Sequence, residues 1–290
     1  MRGAMPKEVP VSSFLATACL QARERVDEAR RLVSEEHLRD RATGRGAPPS
    51  LVEALTSAEG VAVIAEIKRA SPSKGHLAWV PDPVARAAAY AAGGAAAVSV
   101  LTEPAHFHGT ISDLEVVSDA VALPVIRKDF VVDTYQIWEA RAAGAAAVLL
   151  IVAALDHDRL VELLVEADMA GLDVLVEVHD VDEADRAAAA LAVWRTHRRP
   201  VVGVNARDLN TLTVDPGRFA ACVDALPPGA VAVAESGVTT VEDVRRAGEA
   251  GADAVLVGEH VVTADDPAAA VRTLAAWLPG RLEAAERPPR

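Results

Sequence analysis

The chain has 290 residues and a formal net charge of −13 at pH 7. This acidic balance excludes proteins that bind nucleic acid or an anionic membrane through a broad basic surface, and no uncharged apolar run is long enough to span a bilayer. The length allows one large barrel domain of about 250 residues. The two cysteines, Cys19 and Cys222, lie far apart and indicate a reducing environment, so we expect a cytoplasmic protein.

The first fifty residues differ in character from the rest of the chain. Residues 1–46 are rich in Glu and Arg, with apolar residues spaced as in one or two amphipathic helices, and the stretch 43–50 is a break rich in Gly and Pro. We therefore predict an N-terminal helical extension, residues 1–50, packed on a barrel domain, residues 51–280. A polar C-terminal tail, residues 281–290, completes the chain.

Beyond residue 60, short apolar runs alternate with longer segments of helical period. There are eight such runs: 61–67, 96–101, 123–126, 146–152, 173–178, 200–204, 230–234 and 254–257. Thr239 and Glu242 form a candidate capping box for one helix, while Gly94, Gly144 and Gly251 lie where helices should end. Eight such units predict the α/β class and a (β/α)8 TIM barrel. An open doubly wound sheet is the alternative, but no GxGxxG turn follows the first run.

Charged and polar side chains stand at the ends of these predicted strands. Residues two apart in a strand share a face, so Glu66 and Lys68 point the same way. The other members of this set are Lys128, Glu177, Asn205, Glu235 and Ser236. Barrel enzymes carry their sites at the carboxyl ends of the strands, and unpaired charges are costly to bury, so the convergence predicts an active site.

The use of lysine supports proton-transfer chemistry at that site. The chain contains 25 arginines but only four lysines, and two of the four end apolar runs. A lysine ammonium can lose its proton in a protein, whereas an arginine guanidinium stays charged. Burial would lower the pKa of such a lysine and nearby glutamates would raise it, so the sign of the net shift stays open at this stage.

Turns that contain glycine follow the last two strands and predict a phosphate site. Ser236-Gly237 and Gly258-Glu259 each precede a helical segment, where backbone N–H groups and the helix dipole favour an anion. The histidines show no convincing metal-ligand spacing, and neither a nucleophile elbow nor a P-loop occurs. We expect no metal ion and no cofactor.

Seven segments, in order across residues 60–260, are recognisable together: EIKRASPSKG, SVLTEPAHFHGT, PVIRKDF, LLIVAAL, LVEVHD, VGVNARDL and VAESGV. The series resembles the indole-3-glycerol phosphate synthase family of tryptophan biosynthesis. The resemblance implies a barrel with an N-terminal helical addition and a small, anionic, phosphorylated substrate, 1-(2-carboxyphenylamino)-1-deoxyribulose 5-phosphate. This substrate would be cyclised to indole-3-glycerol phosphate with loss of carbon dioxide and water, by a monomer or weak homo-oligomer.

The resemblance also implies a role for each matched position. Lys128 matches the general acid that protonates the ketose oxygen, Lys68 the lysine that meets the substrate carboxylate, and Glu177 the partner in proton transfer. The remaining matches are Glu66 and Glu235 in the acidic set, Asn205 and Ser236 as positioning groups, Phe107 and Phe130 as walls of the aromatic-ring pocket, Ser71, Gly237, Gly258 and Glu259 at the phosphate end, and Arg207 and Leu209 in the loop after strand 6. One departure is His260, where family members commonly have a small residue.

Three other functions remain to be compared with this one. Phosphoribosylanthranilate isomerase would place a cysteine at the end of the first strand, where this chain has Glu66-Ile67-Lys68. A Schiff-base aldolase would use Lys128, and borohydride would trap its substrate. A non-catalytic or repurposed phosphate-binding barrel would be expected to have lost some of the charged positions, yet all are present.

Overall fold

Eight parallel strands close into a barrel. Each strand is hydrogen-bonded to the next one along the chain, and the last strand is hydrogen-bonded to the first. The computed structural model describes residues 13–194 and 198–277. The strands are β1 (Ala62–Ile67), β2 (Ala97–Leu101), β3 (Val125–Lys128), β4 (Ala147–Ile151), β5 (Asp173–Val178), β6 (Val201–Asn205), β7 (Val231–Glu235) and β8 (Ala254–Val257). The predicted (β/α)8 fold is thereby confirmed.

Helices surround this barrel and precede it. They are α1 (Phe14–Leu32), α2 (Glu35–Gly44), α3 (Leu51–Thr56), α4 (Pro83–Ala92), α5 (Ile111–Ala120), α6 (Thr134–Ala142), α7 (His157–Met169), α8 (Val181–Val193), α9 (Arg218–Cys222), α10 (Val241–Glu249), α11 (Glu259–Val262) and α12 (Pro267–Ala275). Short 3-10 turns lie at Val152–Ala154 and Val223–Ala225. Among these described helices, none combines the length and apolar character needed to cross a membrane.

The strands are covered on both sides, by the barrel interior and by the helices. All six residues of β1 are buried, and so are all those of β4 and β5. This double coverage explains why the strand sequences are almost continuously apolar instead of alternating. Glu66, a charged residue inside such a strand, is buried and is paired with Lys68, whose Nζ lies 2.7 Å from its Oε1.

Helices α1 and α2 pack on the barrel through buried apolar residues such as Val26 and Leu38, and also through arginines that contact carboxylates. Arg25 of α1 lies 2.7 Å from Asp129, just after β3, and Arg30 lies 2.6 Å from Asp133. The Tyr135 hydroxyl of α6 also donates a hydrogen bond to the carbonyl of Val33. These contacts bring α1 to the rim of the barrel. Residues 1–12 and the predicted tail, 281–290, lie outside the described residues, and the division at residue 50 stays a prediction.

Two local predictions need correction, and one local element was not predicted. The capping box at the start of α10 is formed by Thr240 and Asp243, not by Thr239 and Glu242, because the Asp243 side chain accepts the N–H groups of both threonines. The third strand extends to Lys128 instead of ending at residue 126, so this lysine is held by the sheet. An unpredicted hairpin, Ala70–Ser71 with Gly75–His76, lies in the loop after β1.

Candidate active site

A cavity of about 370 Å³ opens at the carboxyl ends of the strands. All fifteen residues that the sequence proposed for the site line this cavity: Glu66, Lys68, Ser71, Phe107, Lys128, Phe130, Glu177, Asn205, Arg207, Leu209, Glu235, Ser236, Gly237, Gly258 and Glu259. Closure of the barrel brings them together from strands and loops that are separated along the chain by whole helices. Their chemical roles stay predictions.

Lys128 occupies the centre of the charged part of the cavity. Its Nζ lies 2.8 Å from Oε2 of Glu177 and 3.4 Å from Oε2 of Glu235, and both carboxyl groups are buried. Burial alone would lower the pKa of this lysine, but the charges of Glu177, Glu235 and Glu66 outweigh burial and raise it above its usual range. The ammonium form is therefore the one present in the free protein at neutral pH.

The two carboxyl groups beside Lys128 are chemically different. Burial opposes ionisation of Glu177, but Lys128 and His179 more than compensate and hold its pKa well below the usual range. Burial also raises the pKa of Glu235, Lys128 opposes this shift only in part, and the neighbouring Glu177 carboxylate raises it further. The arrangement resembles other carboxyl pairs that share one proton, and the opposite directions of the two pKa shifts favour Glu235 as the group that holds it.

Two glycines create the space that these charged side chains occupy. A Cβ atom on Gly258 would lie 2.3 Å from Oε1 of Glu66 and 2.6 Å from Nζ of Lys68, which are 2.7 Å from each other. A Cβ atom on Gly203, inside β6, would lie 1.9 Å from Oε1 of Glu235. Gly203 was not among the predicted site residues, although an isolated glycine within a strand often indicates a close approach by another group.

Aromatic rings form one wall of the cavity. The rings of Phe107 and Phe130 have centroids 6.5 Å apart, and Phe14, at the start of α1, lies 5.9 Å from Phe130. Phe14 also lines the cavity but was missed, because nothing in its local sequence connects the first helix with the barrel mouth. Glu103, another missed residue, is fully buried and accepts backbone hydrogen bonds from residues 105–107, which fixes the loop that carries Phe107.

The opposite end of the cavity is lined by small and polar residues of the loops after β1, β7 and β8. Ser236 and Gly237 have φ values of +66° and +80°, so the chain turns sharply directly after Glu235. A left-handed conformation is unusual for serine and is found preferentially where function constrains the backbone. Lys74, from the loop after β1, contacts the Glu259 carboxylate across the opening. His260, the residue that departs from the family pattern, is absent from the described cavity lining.

The described residues contain no group of three or more His, Cys, Asp or Glu side chains arranged to hold a metal ion. The cavity offers an ammonium donor, carboxyl groups, an aromatic wall and a polar end with glycine-containing turns. Such a set suits acid–base chemistry on a substrate with one aromatic and one anionic end.

Replacement of Glu235 by Gln should make stability less dependent on pH. A raised folded-state pKa means that wild-type protein loses stability as pH rises from the unfolded pKa of glutamate through the folded value, while a neutral Gln does not. We expect the unfolding free energy of Glu235→Gln, relative to wild type, to increase between pH 5 and pH 9, by up to about 1.4 kcal/mol for each pH unit that separates the folded and unfolded pKa values. Urea unfolding at several pH values measures this. An offset that does not vary with pH would contradict the assignment of the proton, and exposed Glu59→Gln is the control.

Comparisons with known proteins are consistent with this geometry. The family model for indole-3-glycerol phosphate synthase matches residues 15–274. An indole-3-glycerol phosphate synthase from Beutenbergia cavernae is 51% identical over 239 residues, which cover 82% of this chain and 86% of the relative. The enzyme of the same name from Streptomyces griseus is 50% identical over 244 residues, covering 84% and 88% of the two chains.

A more distant solved structure shares the fold alone. The 3-hexulose-6-phosphate synthase from Salmonella typhimurium superimposes with a TM-score of 0.56 at 15% identity, covering 74% of this chain and 97% of its own. The family match, by contrast, includes every strand of the barrel and each proposed site residue. The chain therefore belongs to the indole-3-glycerol phosphate synthase family.

Proposed function

We propose that the protein is an indole-3-glycerol phosphate synthase, a carboxy-lyase that works by lysine and glutamate acid–base catalysis. The observation that carries the proposal is the buried ammonium of Lys128, 2.8 Å from an ionised Glu177 and 3.4 Å from Glu235, in a cavity with an aromatic wall at one end. Family membership supplies the substrate class, a phosphorylated small molecule.

The cavity orients this substrate by its two unlike ends. The carboxyphenyl ring would lie against Phe107 and Phe130, and its carboxylate would face Lys68. The phosphate would bind in the loops after β7 and β8, with contributing positions at Ser71, Gly237, Gly258 and Glu259. Arg207 and Leu209 line the same opening from the loop after β6. Binding at both ends places the ketose carbonyl, which lies between them, beside Lys128.

Ring closure joins the aromatic carbon that bears the carboxylate to the ketose carbonyl carbon. Negative charge develops on the carbonyl oxygen, and Lys128 would donate a proton to it as the bond forms. Its raised pKa ensures that the proton is present beforehand. Once Lys128 is neutral, Glu177 loses the nearest positive charge that lowered its pKa, so its proton affinity rises at the stage when a base is required.

The remaining steps release carbon dioxide and water. Loss of carbon dioxide returns the bonding electrons to the ring and restores aromaticity, so this step requires no external acid. The hydroxyl group then leaves as water, with a proton from Lys68 in our assignment, and Glu177 takes a proton from the adjacent methylene carbon. Glu66 would hold Lys68 in place through their 2.7 Å ion pair, and Asn205 and Ser236 would position the sugar hydroxyls.

The direct test is to mix purified protein with 1-(2-carboxyphenylamino)-1-deoxyribulose 5-phosphate and to follow indole fluorescence together with carbon dioxide release. We expect both signals to rise in equal amounts without an added metal or cofactor. Folded protein that binds this compound but releases neither product would overturn the proposal in favour of a repurposed phosphate-binding barrel. Trapping of a covalent adduct by borohydride would instead indicate an aldolase.

Substitution of Lys128 should abolish ring closure while substrate binding persists. We expect Lys128→Ala to reduce kcat by about 100-fold or more and to change substrate affinity by less than about tenfold, which corresponds to 1.4 kcal/mol. Lys128→Arg is the informative partner, because it keeps the positive charge but does not release a proton. Near-normal turnover in either variant, measured by fluorescence, would rule out Lys128 as the acid.

Addition of one methyl group at Gly258 should impair activity without unfolding the protein. The atoms that it would displace are the ends of the Glu66 and Lys68 side chains, which are flexible enough to move aside. We expect Gly258→Ala to lower kcat by about 100-fold, with a change in unfolding free energy below about 1 kcal/mol. Gly46→Ala is the matched control, because no atom lies within 4 Å of its added Cβ. Full activity in Gly258→Ala would contradict the required Glu66–Lys68 geometry.

A further inference from the structure

His179 stands directly after β5, between the candidate site and the helix that follows. Its Nε2 lies 3.3 Å from Oε1 of Glu177, and its Nδ1 lies 2.9 Å from Oε2 of Glu183 in the first turn of α8. The backbone N–H of His179 donates a second hydrogen bond to the same Glu183 oxygen, at 2.8 Å. The imidazole side chain is only 10% exposed. Each ring nitrogen therefore faces a carboxylate.

The position of Glu183 is itself fixed. Its backbone N–H donates to the side chain of Asp180, the N-cap of α8, so the first turn of the helix holds the carboxylate beside the histidine. Other charged side chains nearby are directed elsewhere: Arg186 of α8 donates to the carbonyl of Leu155, and Arg218 of α9 donates to that of Asn205. The ring thus faces Glu177 from β5 and Glu183 from α8.

This environment favours the imidazolium form of His179. Burial disfavours the charged ring, but the contacts with Glu177 and Glu183 outweigh burial and raise its pKa to about 10. In that form Nδ1 donates a hydrogen bond to Glu183, while the buried Nε2, which makes no hydrogen bond among the described residues, forms an ion pair with Glu177 across 3.3 Å. Glu177 consequently lies between two cations, since its Oε2 accepts a hydrogen bond from Lys128 and its Oε1 faces His179.

We propose that His179 is a positioning residue, held as an imidazolium by Glu183, which keeps Glu177 ionised and directed at Lys128. The proposal deepens the proposed function and rests on it for its kinetic test. The positive charge of His179 favours the ionised form of Glu177. The proton that Glu177 and Glu235 share is therefore favoured on Glu235. His179 does not line the cavity, so it acts on the substrate only through Glu177.

The kinetic test is the pH profile of kcat for His179→Gln, which removes the positive charge and retains a side chain that can form hydrogen bonds. Without the imidazolium, the pKa of Glu177 should rise well above its depressed value, so its acidic limb should enter the measurable range below neutral pH. We expect kcat relative to wild type to fall progressively as the pH is lowered from 8.5, to a loss of about tenfold at about pH 5, with KM changed less than about threefold. A loss of equal size at every pH would show a merely structural role and overturn the proposal.

Two further variants make this test specific. Glu183→Gln leaves the histidine in place but removes the carboxylate that stabilises its charge, so the limb should move in the same direction by a smaller amount. His37 is an exposed residue of α2, so His37→Gln should leave the pH profile unchanged. An unmoved acidic limb in Glu183→Gln would contradict the part assigned to Glu183. If His179→Gln fails to fold, the pH profile of Glu183→Gln serves as the kinetic test.

A second measurement is independent of catalysis. Nitrogen NMR of protein labelled at histidine reports directly whether both ring nitrogens carry protons, and the His179 signal is identified by its loss in His179→Gln. We expect the doubly protonated form to persist from pH 6 to pH 9. A neutral His179 ring at pH 7 would overturn the proposal even if the enzyme is active. Inactive wild-type protein with a protonated His179 would instead refute the proposed function alone.

Discussion

The contact of Lys128 with buried carboxylates is the interaction on which the rest of the site depends. An ammonium group in such a place is costly unless charge of opposite sign surrounds it, and the carboxylates are equally costly without the ammonium. Lys128 pairs with Glu177, Lys68 pairs with Glu66, and His179 lies between Glu177 and Glu183. Opposite charges at the centre of the site are therefore paired before any substrate binds.

The closed barrel is what makes this balance possible. Its strands present side chains from β1, β3, β5, β6 and β7 to one opening, although these segments are separated along the chain by whole helices. Gly203 and Gly258 leave the volume that the carboxylate and ammonium groups fill. The surrounding elements then serve as supports: Glu103 fixes the loop of Phe107, and α8 holds Glu183 beside His179.

Much of this architecture was predictable from the sequence, because burial on both faces of each strand produces the apolar runs that mark the eight strands. The charged ends of those runs identified the mouth of the barrel for the same reason: charge is rare in such segments. Phe14 could not be found in this way, since its place in the cavity depends on how α1 packs. Nor could the sequence decide the sign of the Lys128 pKa shift, which depends on distances of 2.8 and 3.4 Å to two carboxyl groups.

The most direct test of the central claim is a crystal structure with the substrate whose ketone has been reduced to an alcohol, a compound that lacks the carbonyl group required for ring closure. The account predicts that the resulting hydroxyl oxygen lies within hydrogen-bonding distance of Lys128 Nζ, with the ring between Phe107 and Phe130 and the phosphate in the loops after β7 and β8. A bound ligand whose hydroxyl oxygen contacts another group and leaves Lys128 paired only with Glu177 and Glu235 would contradict the account.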